Sequence, residues 1–524
     1  MKRLGFVLAC VVLVASACSL PSVAPGTLGF PNGVAAGDVT ASGATLWTRT
    51  SAEASVELKV YDWVLQPNSA LMVPGDTPIF TATATTSAAD DFTTKVQVGG
   101  LQPHHVYFYR FTNASEQSQL GRFVTAPAAN DAASFRFVVA ADSDGFPVDG
   151  PPAFNNFEVL NWARAAQPDF FAFLGDTIYS DSSFAPPGGV TTLAQYRAAH
   201  EQNRSFAYLR DLMSATGTYA QIDDHEVYND FDGETVDPGR YADGLHAFND
   251  WMPTNAANVL DDPTCAGGHP RYFHQKWGTQ AEIFQLDERS CRSSQDPVKA
   301  VCTNPGPSLD LAPTAPSFLR LGAGLPESPP AGCVDAINDP ARTLLGPVQK
   351  AAFESDLLAS NAKFKIVLSE DAIQQFYALP YDRWEGYGGD RSEILNFIRT
   401  NVITNVVFLT TDLHANIANN VFIDKTTDPT PIAYEAISGP IATNTYKNEI
   451  LNAFPANGEA LVNSLQLVLT IQGVECRALD SYSYQLVEVN AGAGTLTISS
   501  RGPDGKVLSD DVIPTKKCTK TIGP

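Results

Sequence analysis

Between residues 30 and 125 apolar and polar positions alternate. Val56, Leu58 and Val60 are interleaved with Glu57 and Lys59, the period-two signature of a strand buried on one face. Residues 44–50, 94–98 and 106–111 predict further strands, so this stretch reads as all-β. An Ala- and Pro-rich segment, 126–133, predicts a linker. Beyond it the rhythm changes. Residues 134–141, 169–174, 364–368 and 406–409 are short, mainly apolar runs of the kind that form strands covered on both faces. Between them, 154–166 places Phe157, Leu160 and Trp162, and 344–360 places Leu345, Val348, Phe353, Leu357 and Leu358, at near-helical spacing. Strands alternating with helices predict an α/β domain.

These patterns divide the 524 residues into a leader at 1–18, an all-β domain at 28–128 and an α/β domain at 134–510. In the leader, Lys2 and Arg3 precede an apolar run, 4–14, and the small residues Ala15, Ser16 and Ala17, the pattern of an export signal. Cys18 follows directly. Two readings stand: an ordinary cleaved signal, or a lipoprotein signal whose lipidated Cys18 would hold the protein at a membrane surface. Either predicts a periplasmic, extracellular or envelope-anchored protein. Apart from Cys10 and Cys18 in the leader there are six cysteines, Cys265, Cys291, Cys302, Cys333, Cys476 and Cys518, whose wide spacing favours disulfides over zinc and leaves their pairing open. In the all-β domain, Leu101, Pro103 and Tyr107 resemble the tyrosine corner of immunoglobulin-like and fibronectin-like sandwiches.

Several predicted strands run into acids or histidines. Residues 137–141 lead to Asp142 and Asp144, and 170–174 to Gly175, Asp176 and Tyr179. Residues 219–222 lead to Asp223, Asp224, His225 and Glu226, with Asn229 close behind, and 406–409 lead to Asp412 and His414. Ligands of α/β sheets bind beyond the carboxyl ends of strands. A single Asp there is ordinarily a cap or turn residue. Four such groups together predict a cation site, because gathered carboxylates repel one another unless positive charge lies between them. Oxygen donors with one or two imidazoles suit hard cations. The formal net charge of −23 argues against nucleic acid as a partner. It also means that an anionic substrate would need local positive charge, which bound cations supply.

Asp142, Gly175-Asp176, Asp224-His225-Glu226 and Asp412-x-His414 are similar to the strand-end elements of the binuclear metallophosphoesterases. Gly175 to Tyr179, Asp223 to Val227, Leu286 to Arg289 and Tyr381 to Tyr387 resemble the PhoD-like alkaline phosphatases in particular. The resemblance implies a metallophosphoesterase-like β-sandwich flanked by helices, preceded by an immunoglobulin-like domain. It implies Asp176 bridging two cations, with Asp142, Tyr179 and His414 completing one site and Asp224 and Asp412 helping to build the other. Ferric iron with calcium is the implied metal set, with zinc or manganese as alternatives, since Asp142 stands where the family commonly has a cysteine ligand. A metal-bound hydroxide would then attack a small phosphoester. His225 would stabilise the phosphoryl group or protonate the leaving oxygen, and Asp223 would orient His225. Asp144, Asn229 and Arg197 are further candidates, Arg197 as a phosphate contact. The same fold admits a phosphodiesterase acting on phospholipid head groups. A surface lipoprotein with a structural metal site is the rival from another class.

Overall fold

The structure is a computed structural model that describes residues 29–66, 71–114, 116–302, 313–322, 324–377 and 381–524. The expected leader at 1–18, with Cys18, lies outside them.

Two large mixed sheets face each other. The nine-stranded sheet runs Thr519–Ile522, Thr495–Arg501, Tyr484–Asn490, Phe135–Ala140, Phe170–Leu174, Gly217–Gln221, Val34–Gly37, Gly43–Arg49, Thr93–Gly99. The seven-stranded sheet runs Phe273–Trp277, Ala281–Gln285, Phe364–Leu368, Val406–Thr410, Ala433–Ile437, Asn416–Val421, Cys476–Ala478. Their central strands are parallel, so their carboxyl ends share one edge of the molecule.

The apolar runs have a direct cause. Phe137, Val139, Phe170, Ala172 and Leu174 point between the sheets to meet Ile283, Ile366, Leu368, Val407 and Leu409. Their neighbours Val138, Ala140, Phe171 and Phe173 point outwards, under helices Val159–Ala165, Ala207–Ala215 and Pro238–Trp251. Helices Pro347–Ala359 and Gly388–Thr400 cover the other sheet through Phe353, Leu357, Ile394 and Leu395. Both faces of each central strand are therefore buried, and no polar alternation survives.

A four-stranded sheet, Met72–Thr86, Ala54–Leu65, Val106–Thr112, Gly121–Val124, packs Val56, Leu58 and Val60 against Leu46 and Val98. The Tyr107 hydroxyl accepts the Gln102 N–H at 2.8 Å, which closes the tyrosine corner. The opposing strands of this sandwich belong to the nine-stranded sheet, because Val34–Gly37 pairs in parallel with Gly217–Gln221. The segment read as a linker is also tied down: Ala126 is buried and the Asp131 carbonyl accepts the Thr279 N–H at 2.8 Å.

The helix expected over 154–166 is shorter, Val159–Ala165. Asn155 accepts the Phe157 N–H at 2.6 Å, and Phe157 takes φ 62°, a left-handed turn that a right-handed helix cannot contain. Trp162 lies on the helix's outer side, 41% exposed. The cysteines pair as Cys265–Cys291, Cys302–Cys333 and Cys476–Cys518. Among the described residues no helix is long and apolar enough to cross a membrane.

His200 lies buried against Phe248 and Trp251, with neither ring nitrogen hydrogen-bonded within the described residues. Burial pushes its pKa down to about 3. The unfolded chain thus binds this proton first as pH falls, and stability drains away below the free-histidine value near 6.5. His200→Leu should flatten the acid arm of a stability-against-pH curve by up to about 1.4 kcal/mol per pH unit below about 6.5. Denaturant melts at pH 5 and pH 8 check this, and parallel curves for the two proteins would refute it.

Candidate metal centre

The carboxyl ends of Phe135–Ala140, Phe170–Leu174, Gly217–Gln221 and Val406–Thr410 bring Asp142, Asp176, Asp223, Asp224 and Asp412 into one cluster. Sharp backbone turns aim them. Asp142, Asp176, Asp412 and His414 take φ of 61°, 47°, 60° and 54°, a region costly for most residues and concentrated at functional sites. Gly175, at φ 81°, permits the close approach: a Cβ there would sit 2.4 Å from that of Asp223.

Donor atoms of Asp142, Asp176 and His414 lie within 4.8 Å of one another, as do those of Asp176, Asp224 and His225. Asp176 therefore belongs to two adjoining groups. Asp223, Asp224 and Asp412 form a third. The Tyr179 hydroxyl is 2.8 Å from His414 Nε2, and its ring stacks on His225 at 4.0 Å. A cleft of about 350 Å³ opens above, reaching Asp176, Asp224, His225, Asp412 and His414.

The electrostatics call for cations. Burial, then Asp224 and Asp223, push the Asp176 carboxyl well above the usual range, and burial pushes Asp142 up to about 6 against the pull of His414. Burial and Asp176 also raise the Tyr179 phenol well above 10. Asp224 is the exception: burial works to raise it, but Arg289 and His225 outweigh this and hold it low. Among the described residues, both Asp142 oxygens, Asp223 Oδ2 and Asp224 Oδ1 are buried and receive no hydrogen bond. Such atoms are costly to bury unless something positive meets them. Hard cations fit this donor set of carboxylates, phenol and imidazole.

Two histidines are held from behind. His225 Nδ1 meets Asp181 Oδ1 at 2.5 Å and His414 Nδ1 meets Glu449 Oε1 at 2.5 Å, which leaves each Nε2 facing the cluster. Burial lowers the His225 pKa, but Asp224 and Asp181 together lift it to about 9. Beneath the cluster, fully buried Arg289 bonds Asp223 and grips both oxygens of Asp382 at 2.9 Å. Its Nη2 lies 3.5 Å from Asp412 and 3.7 Å from Asp224 and Asp371. The group of Asp223, Asp224 and Asp412 thus has a built-in cation.

Three sequence-based expectations change, those for Asp223, Arg197 and Asp144. Asp223 does not orient His225; its free strand-end carboxylate is taken by Arg289, and Asp181 does the orienting. Arg197 does not reach the cleft; its guanidinium pairs with Asp250 and the Ala89 carbonyl, against the β-sandwich. Asp144 braces its own loop, accepting from Phe146 N at 3.0 Å and Ser182 Oγ at 2.5 Å. Asn229 lines the cleft with an exposed side chain, and its N–H donates to Asp181 at 2.7 Å. Asp181, Arg289, Asp371, Asp382 and Glu449 carry roles that the sequence reading missed. Asp371 follows strand Phe364–Leu368, so the strand-end rule reaches it. Glu449 rides on helix Tyr446–Ala453 in a tail that offered no such signal.

Comparison with known proteins agrees with this fold. Alkaline phosphatase D of Bacillus subtilis (strain 168) is 26% identical over 357 residues, 63% of this chain and 54% of that protein, so the match spans about half the length of the relative. A solved structure titled "Structure of PhoD" superposes with a TM-score of 0.69 at 21% identity, covering 96% of this chain and 90% of the other. A purple acid phosphatase, PPD1 from yellow lupin (Lupinus luteus) seeds, superposes at 0.54 and 11% identity, covering 94% and 75%. The family description "PhoD-like phosphatase, N-terminal domain" matches residues 15–127, and "PhoD-like phosphatase" matches 144–477. With more than half its length matched, the chain belongs to the PhoD-like phosphatase family.

Proposed function

We propose that the protein is an exported, metal-dependent phosphoesterase hydrolysing phosphate mono- and/or diesters. The carrying observation is Asp176, whose carboxylate belongs to two adjoining donor groups at the strand ends. Asp142, Asp176, Tyr179 and His414 would hold one cation, and Asp176, Asp224 and Asp412 another, with ferric iron and calcium the preferred pair and zinc or manganese the alternatives. When bound, such cations set positive charge against the phosphoryl oxygens and acidify an attacking water. On a protein of net charge −23, that is the local attraction an anionic substrate needs.

The chain's own groups supply the rest. Asp181 fixes the His225 ring through Nδ1, so that a proton at Nε2 faces the cleft and can pass to the leaving oxygen. Glu449 does the same positioning for His414. The export reading is supported by three disulfides, which persist in oxidising compartments, and by the apolar run 4–14.

The test combines metal analysis of the purified mature protein, its visible spectrum, and hydrolysis of p-nitrophenyl phosphate against bis(p-nitrophenyl) phosphate. Stoichiometric metal with turnover of either ester supports the reading, and their ratio assigns monoester or diester preference. Protein that takes up no stoichiometric metal on reconstitution would overturn it. If iron is present, Tyr179→Phe should abolish a broad visible phenolate-to-iron band. A band that survives the substitution removes Tyr179 as a ligand.

A further inference from the structure

A second, larger cavity of about 710 Å³ shares no lining residue with the metal cleft. It lies where strand Thr93–Gly99 of the β-sandwich meets helix Pro238–Trp251 and the segment 254–271. Its wall is mostly apolar, with Ile222, Leu245, Phe248 and Val259 contributing, and its size falls in the ~300–1,000 Å³ range of small-molecule sites.

Two cations, Lys95 and Arg271, and two carboxylates, Glu234 and Asp287, line it, but they do not pair with one another. Arg271 is neutralised by Asp38, at 2.8 and 3.0 Å. Asp287 is filled by four donors: the N–H groups of Arg271, Arg289 and Ser290 and the Ser290 hydroxyl. Glu234 accepts the Ser294 N–H at 2.9 Å, and His269 faces exposed Asp261. Lys95 remains. Among the described residues its ammonium meets only Thr254, at Oγ1 (3.1 Å) and O (3.4 Å), with no carboxylate at ion-pair distance. Burial, then Arg271, pulls its pKa down to about 8 against Asp38 and Asp250, as expected of an ammonium short of counter-charge.

The geometry points to a binding site for a mono-anionic amphiphile, its head group on Lys95 and its apolar body among Leu245, Phe248 and Val259. Burying an alkyl chain there removes apolar wall from water, and a carboxylate head supplies the ion-pair partner that Lys95 lacks among the described residues. A cationic amphiphile of the same length would repel Lys95.

Calorimetric titration of the mature, disulfide-bonded protein with sodium dodecanoate tests this, with dodecyltrimethylammonium as the charge control. Saturable binding near one per chain is expected, weakened at least about tenfold by Lys95→Met and abolished by Leu245→Trp, which fills the cavity. Val259→Trp, at a part-exposed position, serves if Leu245→Trp does not fold. Asp176→Asn should bind dodecanoate normally, so this result stands apart from the phosphoesterase reading. Absence of saturable binding, equal binding of the cation, or binding unchanged by a folded Trp variant would overturn the assignment.

Discussion

Asp176→Asn should cost about 10³-fold or more in phosphoester hydrolysis, about 4 kcal/mol of transition-state stabilisation, and should lose bound metal in parallel. The substitution is nearly isosteric, and Asn tolerates the left-handed backbone at φ 47° as well as Asp does, so the fold should persist. What changes is the one oxygen donor set common to both groups. Metal content by mass spectrometry, with kcat/KM on the same preparation, checks the outcome; full activity with unchanged metal would end the two-cation reading. The metal-stripped wild type carries a companion effect. Burial raises the folded-state pKa of Asp142 to about 6, so the folded form holds a proton that the unfolded chain releases near pH 4. Stability of the stripped protein should therefore fall as pH rises from about 4 through about 6, and added metal should restore it.

Replacing Arg289 with Leu should destabilise the protein by about 3–5 kcal/mol. The guanidinium is fully buried and faces Asp223, Asp224, Asp371, Asp382 and Asp412 at once. Deleting it leaves buried negative charge that Arg292, His225 and any bound cation must answer. Arg292 bonds Asp371 and Asp382 but does not reach Asp223. Arg289→Leu combined with Asp223→Asn should recover part of the loss, since the pair is then removed together. Denaturant unfolding of the single and double variants measures this. A loss below about 1 kcal/mol, typical of an exposed ion pair, would mean that water reaches the network.

Why the sequence reveals Asp142, Asp176, Asp224, Asp412 and His414 as a set, but not Asp181 or Glu449, is a matter of range. The first five each follow the end of a recognisable strand such as Phe170–Leu174, and a parallel sheet must deliver such ends to one edge. Asp181 and Glu449 act through the far side of an imidazole, a relation set by how a loop and a helix settle on the sheet. Arg289 lies in a motif visible at 286–289, yet its place beneath the acids depends on Ala281–Gln285 lying two strands from Val406–Thr410. Asp144 and Arg197 fail for the same reason of range: Ser182 and Asp250, 38 and 53 residues further along the chain, satisfy them away from the cleft. The fold shows the same split. Strand Phe364–Leu368 is legible to the residue, whereas the joining of the β-sandwich to the large sheet through Val34–Gly37 leaves no mark in either segment's pattern.

That joining bears on how the chain is made. Ala36 pairs beside Gly217, so the strand bearing Ala36 emerges from the ribosome long before its neighbour exists. Until residue 217 arrives, the nascent sandwich exposes a raw β-edge, the kind of surface that invites pairing with a second nascent chain.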